Sequence, residues 1–488
     1  MASKDTSVKV KDTKSAWHAD TKEDNVGVAE LWKDFTQNTG FHAFNKLNPG
    51  RRFNIRFILW SLVIMGMSAY LIYTVITELK NYYSYPQMTE FRVERKQEIE
   101  FPAVTICNQC PLNASAMGMD ETLKNYFFLS RTHMGNLHGS INWTNTTTYG
   151  DFYTSEHSVE WWKEKYGKLE TLTKFCKFQG SYMPCKEIFK PVFTEVGLCY
   201  TFNGNVSNKR NVSLSGADNN LVVILMAEQH QYVYNQQFSA GYKILLHDPE
   251  DHPDSVTTGI LAAPGFSTYV AMKKTTFNFL PSPFKAFGGT ECVDTTSALF
   301  NNTLKHFERY THEHCLLECA AEFIFETCGC VMPNDLPLGP ICSLKAQAEC
   351  YVPTLKFTRT NASAQANCGC KEVCSFTSYD VQISTAAFPS QLWAKYLLDK
   401  HLAEDDKYIK NNALELRIFY KDKMVKTVDQ LPVYQTGTII ANLGGQMGIC
   451  LGASILTLTE LAEFFVFLLM YILHYFKPVN TVKTITNH

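Results

Sequence analysis

The chain has 488 residues, and its 45 Lys and Arg against 47 Asp and Glu leave a formal charge of −2, which excludes the polycationic surface of a nucleic-acid protein. At 45% hydrophobic and 19% charged it is too apolar to be disordered throughout and too long for one core. Fifteen of its 16 cysteines lie between Cys107 and Cys374, a density that excludes a reducing compartment for the middle of the chain.

Residues 1 to about 40 are polar, with alternating Lys and Asp, and read as a largely disordered arm. Phe57 to Ile76 then runs 20 residues without a charge, about 30 Å of helix and one hydrocarbon thickness. Arg51, Arg52 and Arg56 precede this span, and only Lys80, beside Glu78, follows it, so the positive-inside rule puts the N-terminus in the cytoplasm. A second apolar stretch, Val433 to Phe476, would reach about 66 Å as one helix, so it must protrude, tilt or break. Gly444, Gly445, Gly448 and Gly452 mark its weak point, and Lys477 and Lys483 return the C-terminus to the cytoplasm. The expected organisation is a cytoplasmic N-terminus (1–52), a first span (53–77), an extracellular domain (78–430), a second span carrying the pore (431–476) and a cytoplasmic C-terminus (477–488). Such a chain is a multi-pass protein of the plasma membrane, in contact with lipid. Seven N-x-S/T sequons, at Asn113, Asn142, Asn145, Asn205, Asn211, Asn301 and Asn361, all fall in the proposed exterior.

Within the exterior, Glu98 to Asn108, Leu221 to Met226, Tyr242 to Leu246, Thr268 to Met272 and Leu414 to Tyr420 read as strands. Residues 120 to 175 and 297 to 327 carry helical patterns. The expectation is a membrane protein with an α+β exterior around one central sheet. Cys315 and Cys319 are four apart on a helical stretch and Cys368 and Cys370 two apart on an extended one, so their spacings match at about 6 and about 6.6 Å. Two parallel bridges from helix to strand would fit, with Cys328 and Cys330 facing Cys350 and Cys342. A zinc site using His312, His314 and Cys315 is the weaker alternative in a glycosylated exterior, and neither metal nor cofactor is expected beyond a permeant sodium ion.

The segments FPAVTICN (Phe101 to Asn108), CYTFN (Cys199 to Asn203), APGF (Ala263 to Phe266) and above all GGQMGICLGASILTLTEL (Gly444 to Leu461) resemble the degenerin, epithelial sodium channel and acid-sensing channel family. The resemblance implies a trimer, homomeric or with related subunits, each subunit having a palm, β-ball, finger, thumb and knuckle joined to two membrane helices. It also implies bridges Cys107 to Cys199, Cys176 to Cys185, Cys292 to Cys374, Cys315 to Cys370, Cys319 to Cys368, Cys328 to Cys350 and Cys330 to Cys342, with Cys110 left over.

On the second span, steps of 4, 7, 11 and 18 residues from Asn442 reach Gln446, Ile449, Ala453 and Glu460, all within about 40° on a continuous helix. A polar intramembrane stripe faces a bundle interior or water and should line a pore, while Glu460 and Glu463 also fit a cytoplasmic interface. By resemblance the filter is Gly452, Ala453 and Ser454, small residues whose carbonyls replace water around sodium, with Glu460 and Glu463 repelling anions. Amiloride block is a further implication.

Departures from the family bear on gating. Its cytoplasmic His-Gly motif stands here as His42 and Ala43, Asn442 replaces a pore-mouth Asp, Ala441 holds the degenerin gating position, and the wrist pair is Tyr85 and Phe284. Pro86 and Gln87 replace a histidine pair, Glu228 beside His230 is what remains of the finger acids, and Asp248 to Asp254 reads as a solvated charge run. Proton gating needs clustered groups with raised pKa, so an extracellular peptide ligand is the leading expectation and proton, constitutive or mechanical gating the alternatives. A glycosylated receptor without a pore leaves the Gly-rich span unexplained, and the chain has no G-x-S-x-G, HExxH or P-loop to suggest an enzyme.

Overall fold

The computed structural model describes residues 28–47, 55–118, 157–233, 239–255, 258–286, 288–400 and 405–475. It forms two compact units, Met1–Pro86 with Tyr434–His488, and Gln87–Val433. In chain order the helices used below are α1 (Val28–Asn38), α2 (Ile55–Tyr83), α3 (His312–Cys328), α4 (Val352–Thr360), α5 (Ala362–Asn367), α6 (Gln391–Asp399), α7 (Thr436–Leu451) and α8 (Ile455–Tyr475).

In the first unit, Ile55–Tyr83 and Ile455–Leu473 are long and apolar enough to cross a membrane. The second apolar stretch breaks, and the break is locally encoded. Gly452 takes the left-handed conformation (φ 65°) that favours glycine, and it ends α7 with N–H bonds from Gly452 to Gly448 O (2.9 Å) and from Ala453 to Met447 O (3.2 Å). Ser454 and Thr457 then restart the chain as α8. The Thr457 N–H donates to Ser454 Oγ (3.4 Å) and the Ser454 N–H to Thr457 Oγ1 (2.7 Å), a reciprocal cap with Thr in the role usually held by Glu. The continuous helical face expected from Asn442 to Glu460 is thereby corrected. Asn442, Gln446 and Ile449 share a face of α7, whereas Ala453 lies in the linker and Glu460 on α8, beyond the break that resets the helical count.

The second unit contains two principal sheets rather than the single one expected. Its main strands are β1 (Gln87–Arg95), β2 (Ala103–Asn108), β3 (Thr173–Phe178), β4 (Ser181–Tyr182), β5 (Phe189–Thr194), β6 (Gly197–Phe202), β7 (Leu221–Met226), β8 (Tyr242–His247), β9 (Ile260–Ala262), β10 (Phe266–Asn278), β11 (Ser375–Ala387), β12 (Ala413–Tyr420) and β13 (Met424–Pro432). An eight-stranded mixed sheet runs β1-β13-β10-β12-β7-β3-β4 with β11 also on β10, and a five-stranded sheet runs β9-β8-β2-β6-β5. Hydrophobic alternation marks a strand but not its partner: β2 pairs with β8, more than a hundred residues away in sequence. On β12, Leu414, Leu416, Ile418 and Tyr420 point into the core with Phe101, Val104, Leu221 and Leu225, whereas β2 is buried along its whole length.

Two helical expectations fail in part. Of 120 to 175, residues 120–156 lie outside the described residues; Val159–Lys165 and Leu169–Leu172 are helical, but Thr173–Phe178 is strand β3, paired to β7. Of 297 to 327, only the part from His312 is helix. The residues before it are irregular because side chains capture their N–H groups: Asn302 Oδ1 accepts from Leu304 (3.1 Å), and the Glu318 carboxylate accepts from Lys305 (2.8 Å) and His306 (3.0 Å).

The structure joins Cys107 to Cys199, Cys176 to Cys185, Cys292 to Cys374, Cys328 to Cys350 and Cys330 to Cys342. Cys315 to Cys370 and Cys319 to Cys368 form two parallel staples with Cα separations of 5.7 and 5.9 Å. Their far anchor is not a strand: Cys368 caps α5, and Gly369 turns the chain at φ 63°. Cys110, outside these bridges, is buried, its thiol donating to Val233 O (3.3 Å) and accepting the Val233 N–H (3.2 Å).

Candidate pore and gating sites

In the membrane unit the chain before α2 folds against the linker between α7 and α8. His42 donates its N–H to Leu451 O (2.9 Å), and its imidazole lies so close to Gly452 that a Cβ there would stand 1.8 Å from Nδ1. Gly452 is therefore required twice, for its left-handed backbone and for the space that His42 fills. Thr39 Oγ1 (3.0 Å) and the Gly40 N–H (2.8 Å) both donate to Glu460 Oε2, and Trp32 and Phe35 of α1 pack on Phe464 of α8. His42, Ala43, Gly452 and Glu460, scattered in the sequence, thus meet in one cluster. Ala43 holds φ 67°, a conformation that costs a Cβ-bearing residue about 1 kcal/mol.

The chemistry of the linker follows from the break. The Thr457 N–H is taken by Ser454 Oγ, so the carbonyls of Gly452 and Ala453 fall between the two helical ladders. Ala453 is buried and Ser454 exposed, while Ala441 and Ile449 are exposed on α7, Asn442 and Gln446 half-buried, and Glu463 exposed on α8. Tyr85, just after α2, holds φ 49° with its ring 6.3 Å from Tyr82, and Phe284 of the second unit donates its N–H to Pro281 O (3.1 Å).

The charge run from Asp248 to Asp254 is not the solvated loop expected. Arg309 Nη1 approaches Glu250 Oε2 (2.9 Å), Asp251 Oδ1 (3.3 Å) and Asp248 Oδ1 (3.6 Å), while Lys209 bridges Glu250 (2.7 Å) and Glu100 (3.6 Å). Burial, only partly offset by Arg309 and reinforced by Asp248, pushes the Asp251 carboxyl up to about 6. Beside it, buried His314 accepts the His252 N–H at Nε2 (3.0 Å), and its Nδ1 lies 2.8 Å from Arg309 O. That pair of bonds selects the neutral tautomer with the proton on Nδ1, and burial holds the imidazole below its usual range. Arg309 and Lys209 were missed, and His314 was weighed only as a zinc ligand, because their partners are distant in sequence; Pro249 and Pro253 within the run, and Thr311 capping α3, were the available signals. Glu228 and His230, 3.6 Å apart, lie elsewhere, in a cavity of about 1340 Å³ that Trp393 of α6 also lines.

Two cavities adjoin α4. One, of about 510 Å³, lies between α3 and α4–α5, with Leu316, Leu317, Ala320, Phe323 and Phe357 among its walls. The other, of about 490 Å³, is lined by Asn108, Gln109, Asn334 and Gln347, and both are bordered by Glu195 and Arg359. Among the sequons, Asn205, Asn211 and Asn301 are exposed, Asn113 and Asn361 are half-buried helix caps, and Asn142 and Asn145 lie outside the described residues. Among the described residues no group of three or more His, Cys, Asp or Glu is placed to hold a metal ion.

Two apolar helices, the second broken by a small-residue linker, together with a disulfide-braced α+β domain, define a two-span membrane channel subunit. The sequence profile described as "Amiloride-sensitive sodium channel" matches residues 35–464, and the chain belongs to that family. It is 27% identical to acid-sensing ion channel 2 of Danio rerio (90% of this chain, 85% of the relative) and 31% identical to the bile acid-sensitive ion channel of Homo sapiens (88% and 85%). Acid-sensing ion channel 1 of Gallus gallus is 26% identical over 91% of this chain and 85% of its own. The cryo-EM structure of a proton-activated chloride channel aligns at TM-score 0.32 and 8% identity, covering 86% of this chain and all of that one, too distant a likeness to carry argument. Family members are plasma-membrane sodium channels that assemble as trimers, and the family is one of channels, not enzymes.

Proposed function

We propose that this chain is one subunit of a trimeric, sodium-selective, amiloride-sensitive channel whose ions pass Gly452, Ala453 and Ser454, with both termini cytoplasmic. The supporting observation is the break itself, where small residues and carbonyls outside the helical ladders supply the oxygen ligands that can replace the water around a small cation. Asn442, Gln446 and Ile449 line the path above the filter. Glu460 acts through its bonds to Thr39 and Gly40, fixing the N-terminal segment against the linker.

Gating by an extracellular peptide is the reading we favour, because the cavities beside α4 provide apolar and polar walls without requiring titration. Proton gating is the second reading, carried by Asp251 in its carboxylate cluster and consistent with the names of the acid-sensing relatives. Expression alone and with related subunits, with reversal potentials in sodium and potassium and with peptides and a pH drop applied in turn, tests all of this. Equal sodium and potassium permeability would overturn the filter assignment.

A further inference from the structure

We propose that Asn361 carries an N-linked glycan whose first sugars pack into the apolar groove between α3 and α4–α5 and close it. The acceptor is Asn361-Ala362-Ser363, with Ala362 and Ser363 exposed. Transfer forms a bond from Asn361 Nδ2 to C1 of the first N-acetylglucosamine, breaks the bond from C1 to the pyrophosphate of a lipid-linked oligosaccharide, and releases one Nδ2 proton.

The fold then seats the attached sugar. Asn361 ends α4 and starts α5: its N–H donates to Phe357 O (3.0 Å), and its Oδ1 accepts from the N–H groups of Ser363 (2.9 Å) and Ala364 (3.3 Å). With Oδ1 held this way, Nδ2 has no hydrogen bond among the described residues and is left to carry the sugar, while Asn361 itself lines the groove. Phe357, one turn earlier, stands on the same side of α4, and its ring stacks on Phe323 of α3 with centroids 6.0 Å apart. The two rings remain 46% and 41% exposed, an apolar wall beside a groove of about 510 Å³, a volume within the range of sites that hold a small molecule.

Chemistry favours a sugar as the occupant. The faces of N-acetylglucosamine present apolar, partially positive C–H groups to the negative faces of aromatic rings. Its hydroxyls and acetamide reach the rim, where Glu313, Arg359 and Gln365 offer charged and amide partners. Because it is tethered to the wall, the sugar has an effective concentration on the order of millimolar, which a dilute free ligand does not match. The neighbouring cavity of about 490 Å³, with Met332 and Leu355 besides its polar lining, stays open to the extracellular ligand proposed above.

The test uses the full-length protein made in animal cells and kept folded. Mass spectrometry of the glycopeptide should find Asn361 occupied. Peptide N-glycosidase should release this glycan at least about tenfold more slowly than those on the exposed Asn205, Asn211 and Asn301, and than the same glycan in Phe357→Ala, which keeps the carbonyl that Asn361 bonds. Ser363→Ala removes the acceptor but spares the cap, because Asn361 holds the backbone N–H of Ser363, and it should admit a hydrophobic dye that the wild type excludes. Wild type stripped by the enzyme should admit the dye too. An unoccupied Asn361, equal release in wild type and Phe357→Ala, dye binding already present in the glycosylated wild type, or dye binding confined to Ser363→Ala each overturns the proposal.

Discussion

The linker at Gly452–Ser454 and the carboxylate cluster on Arg309 are built by opposite means. The linker is written in consecutive residues: a left-handed glycine ends one helix and a Ser-Thr pair starts the next. The cluster collects Lys209, Asp248, Glu250, Asp251 and Arg309 from separate segments, and only the packing of the second unit makes them neighbours. A local device tolerates no substitution at its hinge, whereas an assembled one degrades by degrees as partners are removed.

The largest expected effect breaks the local device. In Gly452→Val the new side chain must occupy the His42 ring position at φ 65°, so current should vanish while surface labelling persists. A conducting valine variant with normal selectivity would show that the break is not the filter.

Next is Arg309→Ala, which leaves three carboxylates facing one another. All partners are partly exposed, so screening limits the cost to about 1–3 kcal/mol, read as a lower Tm of the full-length protein, with Arg309→Lys restoring part of it. An unchanged Tm would make the cluster as solvated as its sequence suggests.

Smaller again is Ala43→Gly. Removing the Cβ from a residue at φ 67° relieves about 1 kcal/mol, enough to raise the current of the subunit expressed alone about fivefold if the His42 seat limits opening. Unchanged or reduced current would show that the missing glycine does not limit opening.

The subtlest effect concerns pH. With Asp251 raised to about 6, the folded arrangement binds a proton that an exposed Asp accepts only near pH 4. Relative to any state that exposes Asp251, this arrangement therefore gains stability as pH falls from about 7 to about 4. Half-buried His252 and buried His314, both held below their usual range, act with the opposite sign as pH falls. Asp251→Asn should flatten the acid-evoked change between pH 7 and 5, and a wild-type pH curve in that variant would remove the cluster from gating.

Much of the fold was legible because its signals are local. The charge-free run from Phe57, the glycines from Gly444 and the alternation of Leu414 to Tyr420 each reflect the solvent that one residue's neighbours must face, and neighbours in sequence report that directly. What the tertiary structure decided was every partnership across distance: that β2 and β8 belong to a second sheet, that residues 297 to 311 abandon a helical pattern for side-chain bonds to Asn302 and Glu318, and that a charge run becomes a partly buried cluster paired with Arg309. It also set His42 against Gly452 and gave Glu460 to Thr39 and Gly40, where a helical count across an unbroken span had placed it on a pore stripe. The physical reason is common to all of these. Propensity and periodicity are properties of a segment, whereas desolvation, charge pairing and steric exclusion belong to groups that meet only after the chain has folded.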